Sequence, residues 1–151
     1  MLLDKQTFQT ITENTPLVSI DLIIKNHQGQ VLLGKRTNPP AQNFWFVPGG
    51  RIRKNENFAD AFERLTLQEL GQVFLLHEAK FLAPYQHFYT DSIFSDNIAT
   101  HYVVLAYQLE IESNLSKLPL LQHSKYQWFN IDNLLQNRQV HPFTKDYFKL
   151  A

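Results

Sequence analysis

Glu69 sits where a carboxylate is costly. Across Asn57 to Leu70 the residues Phe58, Ala61, Phe62 and Leu65 recur at helical spacing, and at about 100° per residue they form one apolar stripe that must face a sheet. Glu69 falls in the same stripe, four residues after Leu65 and seven after Phe62. It also lies in the last helical turn, where the helix dipole disfavours negative charge by roughly 0.3–1 kcal/mol. Both costs require a compensating cation, either a bound metal or an Arg or Lys partner, unless the last turn frays and releases the side chain to water.

The elements that must hold this helix can be followed along the chain. Asp4 to Asn14 predicts a short N-terminal helix. Leu17 to Asn26 is rich in β-branched and aliphatic residues, and the His27-Gln28-Gly29 turn leads into Gln30 to Lys35, which predicts a hairpin. Thr37 to Asn43 is a Pro-rich loop, and Phe44 to Val47 a short aromatic strand ending at Pro48-Gly49-Gly50. The helix from Asn57 stops at Gly71, a helix-terminating glycine. Further strands are expected at Ala79 to Tyr89, Thr100 to Ile111 and Tyr126 to Phe129, and two helices at Ile131 to Asn137 and Pro142 to Leu150. Strands interleaved with helices predict an α/β (α+β) fold with a mixed sheet between helices.

Composition narrows the function classes. The 151 residues carry no repeat, linker or low-complexity segment, so a single domain over 1–151 is expected, long enough to bury roughly 70% of its unfolded surface. The absence of cysteine excludes a disulfide framework, a thiol nucleophile and a Cys-ligated zinc site. With 14 Lys+Arg against 14 Asp+Glu there is no general positive field for nucleic acid, so an anionic ligand must be held by a local cluster of cations. MLLDKQTFQT has no apolar stretch of signal-peptide length, and Leu17 to Ile24 is broken by Ser19 and Asp21; an unexported, cytoplasmic, non-membrane protein is expected.

Gly49-Gly50 precede the central helix, Glu56 follows six residues after Gly50, Arg64 eight residues later, then Glu69 and Gly71. This spacing resembles the loop-helix-loop metal motif of Nudix hydrolases, in which Gly, five residues, Glu, seven residues, Arg-Glu, an aliphatic, one residue, Glu-Glu, one residue and Gly follow one another. The chemistry departs from it: Leu65 replaces the Glu after the Arg, Thr66 the aliphatic, Gln68 the first of the paired Glu residues and Gln72 the closing aliphatic. Glu69 alone remains of that carboxylate cluster. The altered helix, AFERLTLQELG from Ala61 to Gly71, resembles the GDP-mannose mannosyl hydrolase branch of the superfamily. So do TPLVSIDLI (Thr15 to Ile23), LLGKRTN with PAQ (Leu32 to Gln42), WFVPGGR (Trp45 to Arg51), QHFY (Gln86 to Tyr89), THYVVL (Thr100 to Leu105) and QH (Gln122, His123). The resemblance runs from about Thr15 to Trp128; the segment after Trp128 and the loop from Thr90 to Ala99 look unlike that branch.

The resemblance implies a Nudix α/β/α sandwich that hydrolyses GDP-mannose, with GDP-glucose as an alternative, to GDP and the free sugar by inverting water attack at sugar C1. It implies Mg²⁺, with Mn²⁺ as a substitute, held by the main-chain carbonyl of Gly49, by Glu69 and by Gln122, with diphosphate oxygens and water completing the shell. A nucleoside diphosphate leaves as a stable anion once its charge is neutralised, so a metal and Arg side chains can stand in for a general acid. One general base is still needed. The resemblance gives that role to His123, whose imidazole has an unperturbed pKa near 6.5; taken alone, a His beside a polar Gln in a loop is more often a surface residue. Glu56 and Arg64 become a structural ion pair.

Arg36 and Arg51 flank the metal loop and can clamp phosphate oxygens bidentately, the ordinary alternative being solvated surface charges. Asp21 breaks an aliphatic strand on the face of Ser19 and Ile23, and needs either a structural Arg or Lys or sugar hydroxyls as partner. The resemblance places His87 and Tyr102 on the sugar and leaving-group side of the pocket, and Tyr102 is equally readable as a core aromatic. Among the 13% aromatic residues, one of Phe44, Trp45 and Phe46 can stack a guanine, with the Pro39-Pro40 loop as an alternative contact. His27, His77, His101 and His141 read as structural or surface residues. A homodimer is implied by the resemblance alone. Two competing readings stay open: a conventional Nudix pyrophosphohydrolase cleaving at phosphorus, and a non-catalytic nucleotide-binding domain.

Overall fold

The computed structural model describes residues 2–111, 118 and 123–149. Its sheet starts from the expected hairpin of β1 (Leu17–Lys25) and β2 (Val31–Arg36), with Gly29 at φ 74° in the turn, a conformation favourable to glycine. The two strands pair at Lys25↔Val31 and are then wedged apart by the chain that follows. In that wedge β3 (Trp45–Phe46) pairs with β2, and β4 (Gly49–Arg51) pairs with β1 at Ser19, Ile20 and Asp21. Pro48-Gly49-Gly50 was expected to end a strand; instead the glycines resume pairing as β4, one step beyond what local composition reveals.

β6 (Thr100–Glu110) runs parallel to β1 along its length, and β5 (Lys80–Tyr89) is antiparallel to β6. β7 (His123–Phe129) is antiparallel to β2. Among the described residues the result is a seven-stranded mixed sheet with the main path β3-β2-β1-β6-β5.

Alternation along β1 divides the core. Ile20, Leu22 and Ile24, all at 0% exposure, face α2 (Phe58–Leu70) and pack with its Ala61, Phe62, Leu65 and Leu70. Each such fully buried aliphatic contributes roughly 1.5–3 kcal/mol. The opposite face, with Ile23, Val31 and Leu33, is covered by Phe46, Phe129 and Leu134, with Phe143 and Tyr147 packed against them. Leu134 belongs to α3 (Ile131–Gln136), and Phe143 to α4 (Pro142–Asp146). Helices on both sides of a mixed sheet make the expected α/β/α sandwich.

Local signals explain the helix ends. Asp4 caps α1 (Lys5–Asn14) by accepting from the Thr7 amide at 2.8 Å. Asn57 caps α2 by accepting from the Asp60 amide at 2.8 Å, and Gly71 at φ 75° closes it. Phe58 departs from expectation: it opens the helix and is 54% exposed, although it lies on the apolar stripe. Periodicity fixes an angle around the axis and says nothing of how far the sheet extends along it. A short 3₁₀ turn at Leu76–Glu78 was not expected, and the expected end of the last helix at Leu150 lies outside the described residues. Among the described residues no helix is long and apolar enough to cross a membrane.

Candidate active site

A cleft of about 320 Å³ opens on the sheet face that carries Ser19 and Asp21. Its wall includes Asp21, Arg36, Gly49, Arg51, His87 and Tyr102, residues drawn from β1, β2, β4, β5 and β6. The wedge makes this convergence possible, because it places Gly49 beside Asp21 and Arg51 beside Ser19. Asn38, Pro39 and Pro40 form part of the rim, as does Phe46; Trp45 is packed on Phe129 in the core.

Glu69 lies behind Gly49. It is 4% exposed, and its Oε1 accepts a hydrogen bond from the Gly49 amide at 3.1 Å. The last turn is not frayed: α2 continues to Leu70, and the Tyr126 hydroxyl donates to the Glu69 carbonyl at 3.2 Å. Among the described residues no Lys or Arg forms an ion pair with this carboxylate. Its neighbour is His123, with Nε2 3.5 Å from Oε1.

His123 opens β7 opposite Arg36, a correction to the expected loop. The strand extends three residues earlier than the apolar run Tyr126 to Phe129 indicated, because its pairing with β2 continues past a bulge. At 1% exposure it is not a surface residue, and neither ring nitrogen has a hydrogen-bond partner among the described residues. Neither Glu69 nor His123 lines the cleft; Glu69 is joined to its wall through the Gly49 amide. Gln122 lies outside the described residues.

Within the chain, Asp21 is partnered by Tyr147 and not by an Arg or Lys. The Tyr147 hydroxyl donates to Asp21 Oδ2, and the hydroxyl oxygen is 3.4 Å from His87 Nε2. Burial pushes the Asp21 carboxyl up to about 7, with the Tyr147 hydrogen bond and Arg36 working against it and Glu69 adding to it. Burial also pulls His87 down to about 4, helped by His141, so its ring is neutral near pH 7. His87 stacks on Phe143 at 4.5 Å with the rings 4° apart. Tyr147 was not singled out in the sequence; its one signal is the four-residue spacing from Phe143, which puts both rings on one helical face.

Arg36 Nε donates to the Pro40 carbonyl at 2.9 Å, which anchors the Pro-rich loop at the cleft. The Arg51 guanidinium lies over the Phe8 ring at 4.8 Å. Arg53 also reaches the wall. Burial raises the Tyr102 hydroxyl above its ordinary value, against the pull of Arg36 and Arg51, so it remains a neutral donor. Phe8 and Arg53 carried no sequence signal for this position, since neither interrupts a pattern. His141 caps α4 by accepting from the Phe143 amide at 3.1 Å, a structural role as expected.

The substituted motif positions have structural uses. Leu65 is 3% exposed and fills the space over Gly50, where an added Cβ would meet its Cδ2 at 2.5 Å. Thr66, fully buried, donates to the Glu63 carbonyl and accepts from the Phe74 amide, both at 3.0 Å. Gln68 accepts from Arg64 Nη1 at 3.0 Å. Arg64 Nε meets Glu56 at 2.6 Å, confirming the expected ion pair, and its Nη2 donates to the Arg51 carbonyl at 2.9 Å. These hydrogen bonds hold the Glu56 carboxyl down at about 2.

Among the described residues no three His, Asp or Glu side chains gather to cage a metal. A buried carboxylate without a basic ion-pair partner beyond an imidazole, set against a main-chain loop, does suit a hard cation that takes its remaining oxygens from a phosphate ligand and water.

Residues 15–151 match the family model for the NUDIX domain, and the chain belongs to the Nudix hydrolase family. It is 36% identical over 140 residues to the low-salt glycan biosynthesis protein Agl8 of Haloferax volcanii, covering 93% of this chain and 85% of that one. The fold is similar to the MutT protein of Methanosarcina mazei Go1, with TM-score 0.71 at 18% identity over 89% of this chain and 92% of that one. It is also similar to a MutT Nudix hydrolase of Burkholderia pseudomallei, with TM-score 0.70 at 24% identity over 88% and 95%.

Proposed function

We propose that this protein hydrolyses a GDP-sugar, GDP-mannose first and GDP-glucose second, to GDP and the free sugar by water attack at sugar C1 with inversion. The observation that carries the reading is the cleft itself. Asp21, Arg36, Gly49, Arg51, His87 and Tyr102 share one wall, while the positions that would complete a carboxylate cluster are occupied by a core leucine and an Arg-bound glutamine. That distribution suits charge neutralisation of a diphosphate better than assembly of a carboxylate-rich metal cluster for attack at phosphorus. The similarity to a glycan biosynthesis protein agrees with a sugar-bearing substrate.

In this reading Arg36 and Arg51 hold the diphosphate and take up the charge that grows on it as the C1–O bond breaks. Asp21 and Tyr102 orient the sugar from β1 and β6, with His87 beside them. Glu69, the Gly49 carbonyl and Gln122 would hold Mg²⁺, which would supply further neutralisation of the leaving group. His123 takes the proton of the attacking water as the oxygen bonds to C1, and the bond electrons leave with GDP. Because His123 is 1% exposed and does not line the cleft, this step requires water to gain access to it. A homodimer in the cytoplasm is part of this proposal.

The test is incubation with GDP-mannose and Mg²⁺ in ¹⁸O-labelled water, with products identified by mass and phosphorus spectra. Unlabelled GDP and labelled mannose support attack at carbon. Labelled GMP or mannose phosphate overturns it in favour of a pyrophosphohydrolase. Absence of turnover with Mg²⁺-dependent GDP binding overturns it in favour of a nucleotide-binding domain.

A further inference from the structure

We propose that Tyr147 is a positioning residue of the cleft: its hydroxyl joins Asp21 to His87 and sets which atoms of each are offered to the hydroxyl groups of a sugar. The inference rests on the GDP-sugar reading and adds a residue outside the motifs that suggested it.

Asp21 and His87 are held on different strands. Asp21 lies at the centre of β1 and His87 near the end of β5, with β6 between them. Tyr102 of β6 pairs with Leu17 on one side and His87 on the other. No sheet hydrogen bond joins Asp21 to His87 directly, so their relative placement depends on what bridges them. Tyr147, at the C-cap of α4, does so from the helix layer. Its hydroxyl donates to Asp21 Oδ2 and stands 3.4 Å from His87 Nε2.

Proton counting gives the bridge a direction. A hydroxyl has one proton, and above about pH 7, where Asp21 is ionised, its carboxylate can only accept. With that proton given to Asp21, the contact to His87 is a hydrogen bond only when Nε2 carries a proton and donates to the Tyr147 oxygen. The chain then runs from His87 Nε2–H to the Tyr147 hydroxyl to Asp21. It leaves His87 Nδ1 and Asp21 Oδ1 as acceptors. Oδ1 is turned toward Gly49 on the cleft wall, where a Cβ would meet it at 2.7 Å. Two fixed acceptors suit a ligand that presents several hydroxyl donors, which is what a hexose offers and a bare phosphate does not.

The rings are held independently of this hydroxyl. Tyr147 packs edge-on against Tyr85 at 4.7 Å, and His87 is stacked on Phe143. Tyr147→Phe therefore removes the bridge and keeps the packing.

The experiment compares wild type and Tyr147→Phe in three measurements: steady-state kinetics with GDP-mannose, calorimetric binding of GDP with Mg²⁺, and ¹⁵N spectra of the His87 ring. The expected result is a fall in kcat/KM of about tenfold, as for one lost hydrogen bond to a charged group. GDP affinity should be unchanged, because GDP lacks the hexose whose hydroxyls these acceptors would meet. The wild-type His87 should be the neutral Nε2–H tautomer, and its ring signals should shift in the variant. Unchanged kcat/KM, an equal loss of GDP binding, or an Nδ1–H tautomer in the wild type overturns the proposal. If wild type turns over no GDP-sugar, the functional reading fails by itself, and the His87 spectra still decide whether Tyr147 sets the tautomer. If Tyr147→Phe does not fold, the wild-type tautomer alone decides.

Discussion

Gly34 and His123 approach each other so closely that a methyl group on Gly34 would lie 2.4 Å from His123 Nδ1 and 2.5 Å from Cγ. Gly34 is thus required for room, since the ring packs directly on the backbone of β2. The Gly34→Ala variant must push the imidazole away from Glu69 or distort the β2–β7 pairing. Overpacking of this kind costs about 1–3 kcal/mol. Chemical unfolding should show that loss, and turnover should fall with it; a variant with wild-type stability and wild-type turnover would refute the close packing.

Glu69 and His123 should separate binding from chemistry. Glu69→Gln keeps the shape and removes the charge, so Mg²⁺-dependent turnover should disappear and Mg²⁺ should no longer tighten GDP binding. His123→Ala should lose rate by about 10²–10⁴-fold, the range for a lost general base, with nucleotide binding largely kept. Calorimetry with GDP alongside initial rates distinguishes the two. Wild-type turnover in either variant removes that residue from the assignment.

Arg64 ties Glu56, Gln68 and the Arg51 carbonyl together, and so links α2 to the strand that carries a cleft arginine. Arg64→Lys retains the charge but cannot reproduce the planar fork. A loss of about 1–2 kcal/mol is expected from the broken hydrogen bonds, together with weaker GDP binding as Arg51 loosens. Denaturant titration and GDP calorimetry check both. Weakened binding with full stability would mean that Arg64 meets the ligand itself.

Acid should destabilise the fold below about pH 6.5. His87 and His141 are both held near 4 by burial, below the usual 6.5, so an unfolded chain binds protons in this interval that the folded one does not. Their contribution is fully present above 6.5 and is lost as the pH falls through about 4. Asp21, raised to about 7, acts in the opposite sense: its proton favours the folded form at low pH, and that contribution fades between about 4 and 7. Two imidazoles outnumber one carboxyl, so net stability should rise from pH 4 to 6.5. Thermal unfolding across that range checks the sign, and His87→Phe should flatten the rise. A slope of the opposite sign would show that Asp21 dominates.

Features encoded by neighbours along the chain were legible without coordinates. The stripe of Ala61, Phe62, Leu65 and Glu69 lies within a single helix, so periodicity aimed Glu69 inward while leaving a frayed last turn open, and Asn57 and Gly71 marked the helix ends. The alternation of β1 likewise put Asp21 on one face with Ser19 and Ile23, which the structure shows to be the face turned away from α2. The resemblance of the Gly49 to Gly71 segment to the Nudix motif implied the Glu56–Arg64 pair, and the two residues meet across one short loop and helix.

What required the tertiary structure was every contact whose two halves lie far apart in the chain. Tyr147 reaches Asp21 across 126 positions, and no local pattern in either segment announces the other. His123 looked like a loop residue because its strand is completed by pairing with β2, a partner supplied from elsewhere. The wedge of β3 and β4 between β1 and β2 decided that Gly49 would back onto Glu69 and stand beside Asp21. Periodicity records which way a side chain points from its own element; only the packing of elements on one another determines what it meets there.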